Sequence, residues 1–240
     1  MGYEALKTHR DCGIATSNTS LFRQAHYFSR PDHIITLHPF TVTNVNCTPA
    51  LTNVGGRPCV SLAGAGSATD GSNFCYGTAS HMLVAGKRTR IHFGIRSADA
   101  TNHEWIFGLN TVTTTGMANL SGGTASANFA VLRKLKTETT PKFHCRKASG
   151  TAEISSTSQT YVADQWHDYE VVIEMDPSVA GRGRVTVFCR VNLGNPVKIH
   201  EAVLGALPDT VVTALLFGFL EGDTGTDATV VSHICIEQEY

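Results

Sequence analysis

Acidic side chains are the first candidates for chemistry in this chain of 240 residues. The main acidic cluster is Glu170, Glu174 and Asp176, and glycoside hydrolysis requires a pair of carboxylates that flank the sugar. These residues fall on the polar face of an alternating strand pattern. The pattern therefore predicts a charged outer face of a sheet rather than an acid/base pair.

The eleven histidines raise the question of a metal site or a hydrolase. They include His33, His38, His81 and His92, which are scattered along the chain, and no HExxH or H-x-H pair occurs. This spacing does not favour metal ligation. No GxSxG sequence is present to support a serine nucleophile. We expect no catalytic residues, and the chain is predicted not to be an enzyme.

Two groups of loop residues carry weaker signals for ligands. Residues 64–71 are rich in glycine, but they lack the Gly-Lys-Ser/Thr ending of a phosphate loop and are interpreted as an inter-strand loop. Asp99, Asn102, Asp223 and Asp227 could supply oxygen ligands to calcium. Solvated loop side chains are the favoured interpretation, so no metal and no cofactor is predicted.

The two tryptophans, Trp105 and Trp166, could each stack on a sugar ring at the edge of a sheet. Both lie inside or beside apolar runs of the sequence, which favours packing in the core. Trp105 remains the candidate glycan contact if the protein binds carbohydrate.

Short runs in which apolar and polar residues alternate are predicted to form the strands that position these side chains. In residues 90–96, Ile91, Phe93 and Ile95 alternate with polar side chains, which is typical of a half-buried strand. Residues 169–175 and 185–191 repeat the pattern, and residues 184–203 read as a β-hairpin with a turn at 192–196. Further strands are predicted at residues 34–38, 58–63, 73–77, 104–109, 128–133, 142–146, 211–220 and 229–237. The run 211–220 is nearly all apolar and is expected to be buried on both faces.

About a dozen short strands without a convincing long helix predict an all-β fold, a two-sheet antiparallel β-sandwich. Residues 1–33 mix aromatic and polar groups without a clean period, so they are predicted to form an N-terminal arm, either extended or with a short helix near 21–28. Residues 34–240 are predicted to form the sandwich domain.

Composition excludes several classes of partner. The formal net charge is −1, with charged residues at 16%, whereas nucleic-acid binding needs a basic excess. No run of about 18 apolar residues predicts a membrane span, and the first residues do not resemble a signal peptide. Most of the seven cysteines are expected to be reduced and buried. A disulfide between Cys47 and Cys59 is the alternative.

The order of the strand phrases resembles the concanavalin-like (laminin-G-like) jelly-roll sandwich proteins encoded by tailed bacteriophages. The four phrases that carry the resemblance are residues 105–109 (WIFGL), 166–169 (WHDY), 185–194 and 231–238. The resemblance covers residues 58–240. Two departures, Asn192-Leu193-Gly194 for a hairpin Asp-Gly and Ser232-His233 for a closing Asp-Tyr, weaken any inherited calcium or glycan site.

The resemblance implies a structural protein of the virion, and we expect a capsid decoration (cement) protein on the head surface, made in the host cytoplasm. Its expected partners are the major capsid protein and its own copies, with a trimer favoured. The arm would supply contacts through Tyr3, Leu6, Phe22, Tyr27 and Phe28, although these residues could instead pack on their own sandwich. The alternative is a lectin-like carbohydrate-binding module, with the loops at 97–103 and 110–126 forming the sugar site near Trp105.

Overall fold

The computed structural model describes residues 21–27, 40–76, 81–111, 128–148, 150–221 and 223–239, with the backbone alone described at 21–27, 40–44 and 73–76. The described residues form fifteen β-strands and no helix. None of these residues belongs to a helix that is long and apolar enough to cross a membrane. The predicted all-β class is therefore confirmed.

The strands are short, and each connects to the next by a turn or loop. In chain order they are β1 Leu21–Tyr27, β2 Phe40–Val45, β3 Ala50–Val54, β4 Arg57–Leu62, β5 Gly71–Tyr76, β6 Arg88–Ser97, β7 Glu104–Asn110, β8 Phe129–Lys134, β9 Lys142–Arg146, β10 Glu153–Ser156, β11 His167–Met175, β12 Gly183–Val191, β13 Val197–Leu204, β14 Ala214–Leu220 and β15 Thr229–Glu239.

Two antiparallel sheets face each other. One has the order β13-β12-β11-β6-β15-β4-β3, with β1 also paired to β15, and the other has the order β10-β9-β8-β7-β14-β5-β2. The register places Tyr169 opposite Phe93 and Phe107 opposite Phe217. The architecture is therefore the predicted two-sheet antiparallel sandwich.

Period-two alternation produces the core between the sheets. On β6, Ile91, Phe93 and Ile95 are buried, as the alternation predicts. The Phe93 ring stacks on Phe107 of the opposite sheet with centroids 3.6 Å apart, and Phe107 stacks on Phe217 at 4.5 Å. Close-packed aromatic rings of this kind contribute more than their buried area alone, so they fix the spacing and register of the two sheets.

Strand β14 is buried on both faces, as its apolar run predicts. Leu215, Phe217 and Phe219 join the core between the sheets. On the opposite face, Leu216 packs in a second apolar cluster that includes Ile106 and Val131. An amphipathic pattern is absent from this strand because neither face meets water.

The N-terminal part of the chain contributes a strand. The backbone of β1 pairs with β15 over seven residues, from Leu21 opposite Glu239 to Tyr27 opposite His233. This segment is extended, so the helical alternative near residues 21–28 is wrong. Phe22 and Tyr27 lie on this strand, whereas Tyr3, Leu6 and Phe28 lie outside the described residues. The strand predicted at 34–38 also lies outside them.

The cysteines with described side chains are free thiols, and all are buried: Cys47, Cys59, Cys145, Cys189 and Cys235. The proposed disulfide between Cys47 and Cys59 is therefore wrong. Burial raises the pKa of the Cys145 and Cys189 thiols to about 12, so these thiols are unreactive at neutral pH. They act as small apolar core residues.

Candidate functional site

Three loops meet at one end of the sandwich and bring polar side chains together. We call this end the rim, defined by residues 63–70, 98–103, 221 and 223–228. The Asn102 amide donates one hydrogen bond to Asp99 Oδ2 at 2.8 Å and another to Asp223 Oδ2 at 2.7 Å. Asp99 also accepts from the backbone N–H of Thr101 and of Asn102. These bonds hold three of the four predicted polar side chains in one group, whereas the fourth, Asp227, is exposed on the same rim.

The amide of Asn102 lies between the carboxylates of Asp99 and Asp223. Its two N–H donors point at two carboxylates. Two such negative groups repel each other unless a donor or a cation lies between them. Within the described ranges no group of three or more His, Cys, Asp or Glu side chains is arranged to hold a metal ion. In this arrangement the Asn102 amide donates to one oxygen of each of the two carboxylates.

A buried hydrogen-bond network forms the base of the rim. His103 Nε2 lies 3.2 Å from Glu221 Oε1, and His103 Nδ1 lies 2.5 Å from Ser97 Oγ and 3.0 Å from Thr229 Oγ1. Glu221 Oε2 accepts from the Gly64 N–H at 3.1 Å. The network therefore ties all three rim loops to the ends of β6, β14 and β15.

The Ser97, His103 and Glu221 side chains have the residue types of a hydrolase triad, but all three are fully buried. Ser97 Oγ also donates to the carbonyl of Asp99 at 2.8 Å, which commits its proton. A nucleophile must reach its substrate, so this trio acts as a support for the loops. The sequence did not single it out, because the three residues share no local motif.

The hydrogen bonds of His103 and Glu221 indicate which of the two side chains carries a proton. Burial lowers the pKa of His103, so its imidazole is neutral. Since Ser97 donates to Asp99, the imidazole Nδ1 must be the donor toward Ser97. Nε2 is then an acceptor, and protonated Glu221 is the donor that it needs. Burial, together with the nearby carboxylates of Asp223, Asp227 and Asp70, raises the pKa of Glu221 to about 7.

This pair gives a pH-dependent contribution to stability. The folded-state pKa of Glu221 lies above the ordinary value of 4.5, so its contribution is complete below the ordinary value and is lost as pH rises through about 7. We expect the stability of the wild type relative to Glu221→Gln to fall between about pH 5 and pH 8. Thermal unfolding of both proteins measures this difference. A difference that does not vary with pH would contradict the assignment.

Two further side chains stiffen the rim from below. Asp70 is fully buried and accepts from the backbone N–H groups of Ala65 at 2.7 Å and Ser67 at 3.0 Å. These N–H groups are therefore not directed at a phosphate, in agreement with the interpretation of residues 64–71 as an inter-strand loop. Lys134 Nζ donates to the carbonyl of His103 at 2.8 Å. Burial lowers the pKa of Lys134 to about 8.

The predicted aromatic and acidic candidates lie elsewhere. Trp105 is 0% exposed and packs among Phe93, Phe107 and Tyr169, so its indole has no face to offer a sugar and fills the core, as the favoured interpretation predicts. Trp166 is 7% exposed, with the Arg57 guanidinium 4.9 Å from its ring.

The acidic cluster Glu170, Glu174 and Asp176 lies where the alternation places it. Glu170 faces His92 Nε2 at 3.3 Å and Arg90 Nε at 3.9 Å on the outer face of the sheet, and Glu174 is exposed. The hydrogen bond from His92 and the charges of Arg90 and Arg88 lower the pKa of Glu170 despite partial burial. A carboxyl group with a lowered pKa is a poor general acid, which agrees with a charged outer face.

No family model matches the sequence, and no curated protein matches it either. Solved structures do resemble its fold. A protein of unknown function from Shewanella oneidensis MR-1 has 12% identity and a TM-score of 0.60 over 100% of this chain and 94% of that one. Arcelin-5, a lectin-like defence protein from Phaseolus vulgaris, has 9% identity and a TM-score of 0.62 over 92% of this chain and 99% of that one.

A marine alginate lyase from Aplysia kurodai is similar to the same degree, with 9% identity and a TM-score of 0.61 over 92% of this chain and 99% of that one. Similar folds thus include both lectins and enzymes, so the fold alone does not distinguish binding from catalysis. Sequence identities this low show only that the architectures are alike. The chain is an all-β protein with the concanavalin-like sandwich fold of the legume lectins.

Proposed function

We propose that this protein is a non-catalytic structural protein of a bacteriophage virion, a decoration protein that binds and stabilises the head surface. The observation that supports this most directly is where the phage-like sequence phrases lie. They occupy β12, β11 and β15 of one sheet and β7, the middle strand of the other. The resemblance therefore extends through the centre of both sheets.

The outer face of the larger sheet suits a mechanical role. Arg57 makes a bidentate contact with Asp168, at 2.7 and 3.0 Å, and Arg88 pairs with Glu239 at 2.8 Å. Both pairs join residues of different strands. Single surface pairs contribute little to stability, but pairs that join different strands of one sheet oppose sliding of these strands past one another. In this proposal the sandwich is a rigid clamp across neighbouring capsid subunits.

The partners and location follow from the same proposal. The protein would bind the major capsid protein on the head surface after synthesis in the host cytoplasm, and a closed trimer of its own copies is the favoured assembly. The N-terminal segment would add contacts to a neighbour, with β1 as its attachment to the sandwich. No nucleic acid and no membrane is involved in this role.

Binding of the purified protein to undecorated heads tests the proposal. We expect the full chain to bind at saturation in a fixed ratio to the major capsid protein. A variant that lacks residues 1–20 keeps β1 but loses the contacts that the N-terminal segment would make. Its affinity for heads should fall about tenfold or more, which corresponds to about 1.4 kcal/mol of binding free energy. Equal affinity of the two would contradict the role of the N-terminal segment. Absence of any binding by the full chain would contradict the decoration role.

Carbohydrate binding at the rim is the second candidate. The specific observation in its favour is the fixed group of Asp99, Asn102 and Asp223, because carboxylate and amide groups that are held rigidly suit the hydroxyls of a sugar. The lectins among the similar folds agree with it. In this candidate residues 98–103 of the loop expected at 97–103 contribute, and the buried Trp105 does not. Most of the loop expected at 110–126 lies outside the described residues.

A glycan array tests this second candidate. If the rim binds sugar, the wild type should bind a defined set of glycans. Asp223→Asn should bind them about tenfold or more weakly, because the bound sugar loses a carboxylate that accepts its hydrogen bonds. Glu174→Gln removes an exposed carboxylate from the outer face of the larger sheet and serves as the matched control, with binding unchanged. Equal loss in both variants, or no glycan binding by the wild type, would exclude the rim as a sugar site.

A further inference from the structure

The network at the base of the rim is a continuous chain of hydrogen-bonding groups between two rim loops. It begins at the Gly64 N–H, which donates to Glu221 Oε2 at 3.1 Å, and passes from Glu221 Oε1 to His103 Nε2 at 3.2 Å. It continues from His103 Nδ1 to Ser97 Oγ at 2.5 Å, and Ser97 Oγ donates to the Asp99 carbonyl at 2.8 Å. The three side chains are no more than 1% exposed, so each polar atom depends on its neighbours in the chain for a partner.

Each hydrogen bond of this chain has a direction that is set by the one before it. While Glu221 carries its proton, it donates to His103 Nε2, and the imidazole proton lies on Nδ1, directed at Ser97. The Ser97 hydroxyl also accepts from Thr229 Oγ1 at 3.0 Å. With both donors directed at its oxygen, the hydroxyl turns its own proton to the Asp99 carbonyl. In this state the network holds the loop at 98–103 through its backbone.

Loss of the Glu221 proton reverses these directions. A carboxylate repels the lone pair of His103 Nε2, so the imidazole takes its other tautomer, with the proton on Nε2 directed at Glu221. Nδ1 then becomes an acceptor. Because Nδ1 and Ser97 Oγ are 2.5 Å apart, two lone pairs cannot face each other there, and the hydroxyl turns its proton from the Asp99 carbonyl to Nδ1. One proton leaves the network to solvent, and the hydrogen bond to the Asp99 carbonyl is broken.

The surroundings of Glu221 place this change near neutral pH. Burial raises the pKa of Glu221 to about 7, and the carboxyl groups of neighbouring loops add to the rise. Burial lowers the pKa of His103, so the imidazole stays neutral while Glu221 ionises. Burial also raises the pKa of the Cys47 thiol to about 11 and lowers that of Lys134 to about 8. The titratable groups that face the pair from the surrounding loops and strands are Asp70, Asp99, Asp223, Asp227, Cys47 and Lys134.

We propose that the chain from Glu221 to Ser97 is a proton-operated switch of the rim. It holds the loop at 98–103 through the Asp99 carbonyl while the Glu221 carboxyl group is protonated, and it releases that carbonyl when the group ionises. The Asp99 side chain belongs to the fixed polar group of the rim with Asn102, so the switch sets how firmly the rim presents this group. A ligand that depends on the group would bind more weakly in the ionised state. The switch itself does not depend on which partner the protein binds.

Nuclear magnetic resonance of the His103 ring nitrogens, assigned through bonds from its backbone amide in the full chain, tests the switch. The proton should lie on Nδ1 below about pH 6 and on Nε2 above about pH 8. In Glu221→Gln the amide N–H can donate to Nε2 and the amide oxygen can accept from Gly64 at every pH. This variant should therefore keep the proton on Nδ1 from about pH 5 to about pH 9. A single tautomer of the wild type over this range, or an imidazolium at neutral pH, would overturn the proposal.

Amide hydrogen exchange measures the release of the loop. The N–H groups of Thr101 and Asn102 donate to Asp99 Oδ1 at 2.6 and 3.0 Å. Relative to Glu221→Gln at the same pH, their protection in the wild type should fall about tenfold between about pH 6 and about pH 8. Asp227→Asn, at an exposed position, is the matched control: the switch should persist with its midpoint at lower pH, because one repelling carboxyl group is removed. Equal protection in the wild type and Glu221→Gln at both pH values, or loss of the switch in the control, would contradict the proposal.

Discussion

Replacing Trp105 with alanine is expected to lower the free energy of unfolding by about 3–5 kcal/mol. The indole is fully buried, and its ring lies 6.0 Å from Phe93, 5.9 Å from Phe107 and 5.5 Å from Tyr169, measured between centroids. Removing it leaves a cavity at the junction of both sheets. Chemical denaturation, followed by Trp166 fluorescence and by circular dichroism, measures the loss.

The same variant separates a core role from a sugar-binding role for Trp105. Trp105→Phe keeps much of the apolar volume and should recover more than half of the lost stability. A sugar-stacking residue at the surface would instead lose glycan binding with little loss of stability. An unfolding free energy of Trp105→Ala within about 0.5 kcal/mol of the wild type, the range of ordinary surface substitutions, would contradict the core assignment.

Replacing Gly108 with alanine is expected to lower the free energy of unfolding by about 3 kcal/mol or more. Gly108 lies in the middle of β7 with a φ of +142°. A Cβ at this position would lie 2.3 Å from the Ala130 carbonyl oxygen and 2.8 Å from Val131 Cα. Both are backbone atoms of β8, so relief of the clash requires the two strands to separate.

Gly56→Ala is the matched control for this change. Gly56 also has a positive φ, +79°, but a Cβ there would meet no atom within 4 Å. Backbone strain at Gly56 is expected to cost about 1 kcal/mol, so the difference between the two variants reports the clash with β8 together with the greater strain at a φ of +142°. Denaturation of the two proteins side by side measures it, and equal losses would show that steric crowding at Gly108 is unimportant.

Most of the strands with clear alternation were predicted from the sequence. The strand expected at 142–146 is β9, Lys142–Arg146, and the hairpin expected at 184–203 is β12 and β13. Strand β2, with the alternating sequence FTVTNV, was missed. Strands β3 and β10 were also missed. Their side chains are exposed or half-buried throughout, so neither strand has an apolar face. Pairing with a neighbour, which local sequence does not encode, places them in the sheets.

The candidate site was predictable only in its parts. Asp99, Asn102 and Asp223 were recognised as polar loop residues, but the contact between Asn102 and Asp223 joins positions 121 residues apart. The support beneath was not recognised, because His103 and Glu221 are 118 residues apart and each resembles an ordinary residue at a strand end. The one available signal was the position of Glu221 directly after the apolar run of β14.

The copy number of this chain in purified virus particles, relative to the major capsid protein, tests the proposed function most directly. Quantitative mass spectrometry of the particles provides the ratio. The decoration role predicts a number of copies comparable to that of the major capsid protein. Only a few copies per particle, or absence from the particles, would contradict it and would make carbohydrate binding at the rim the leading account.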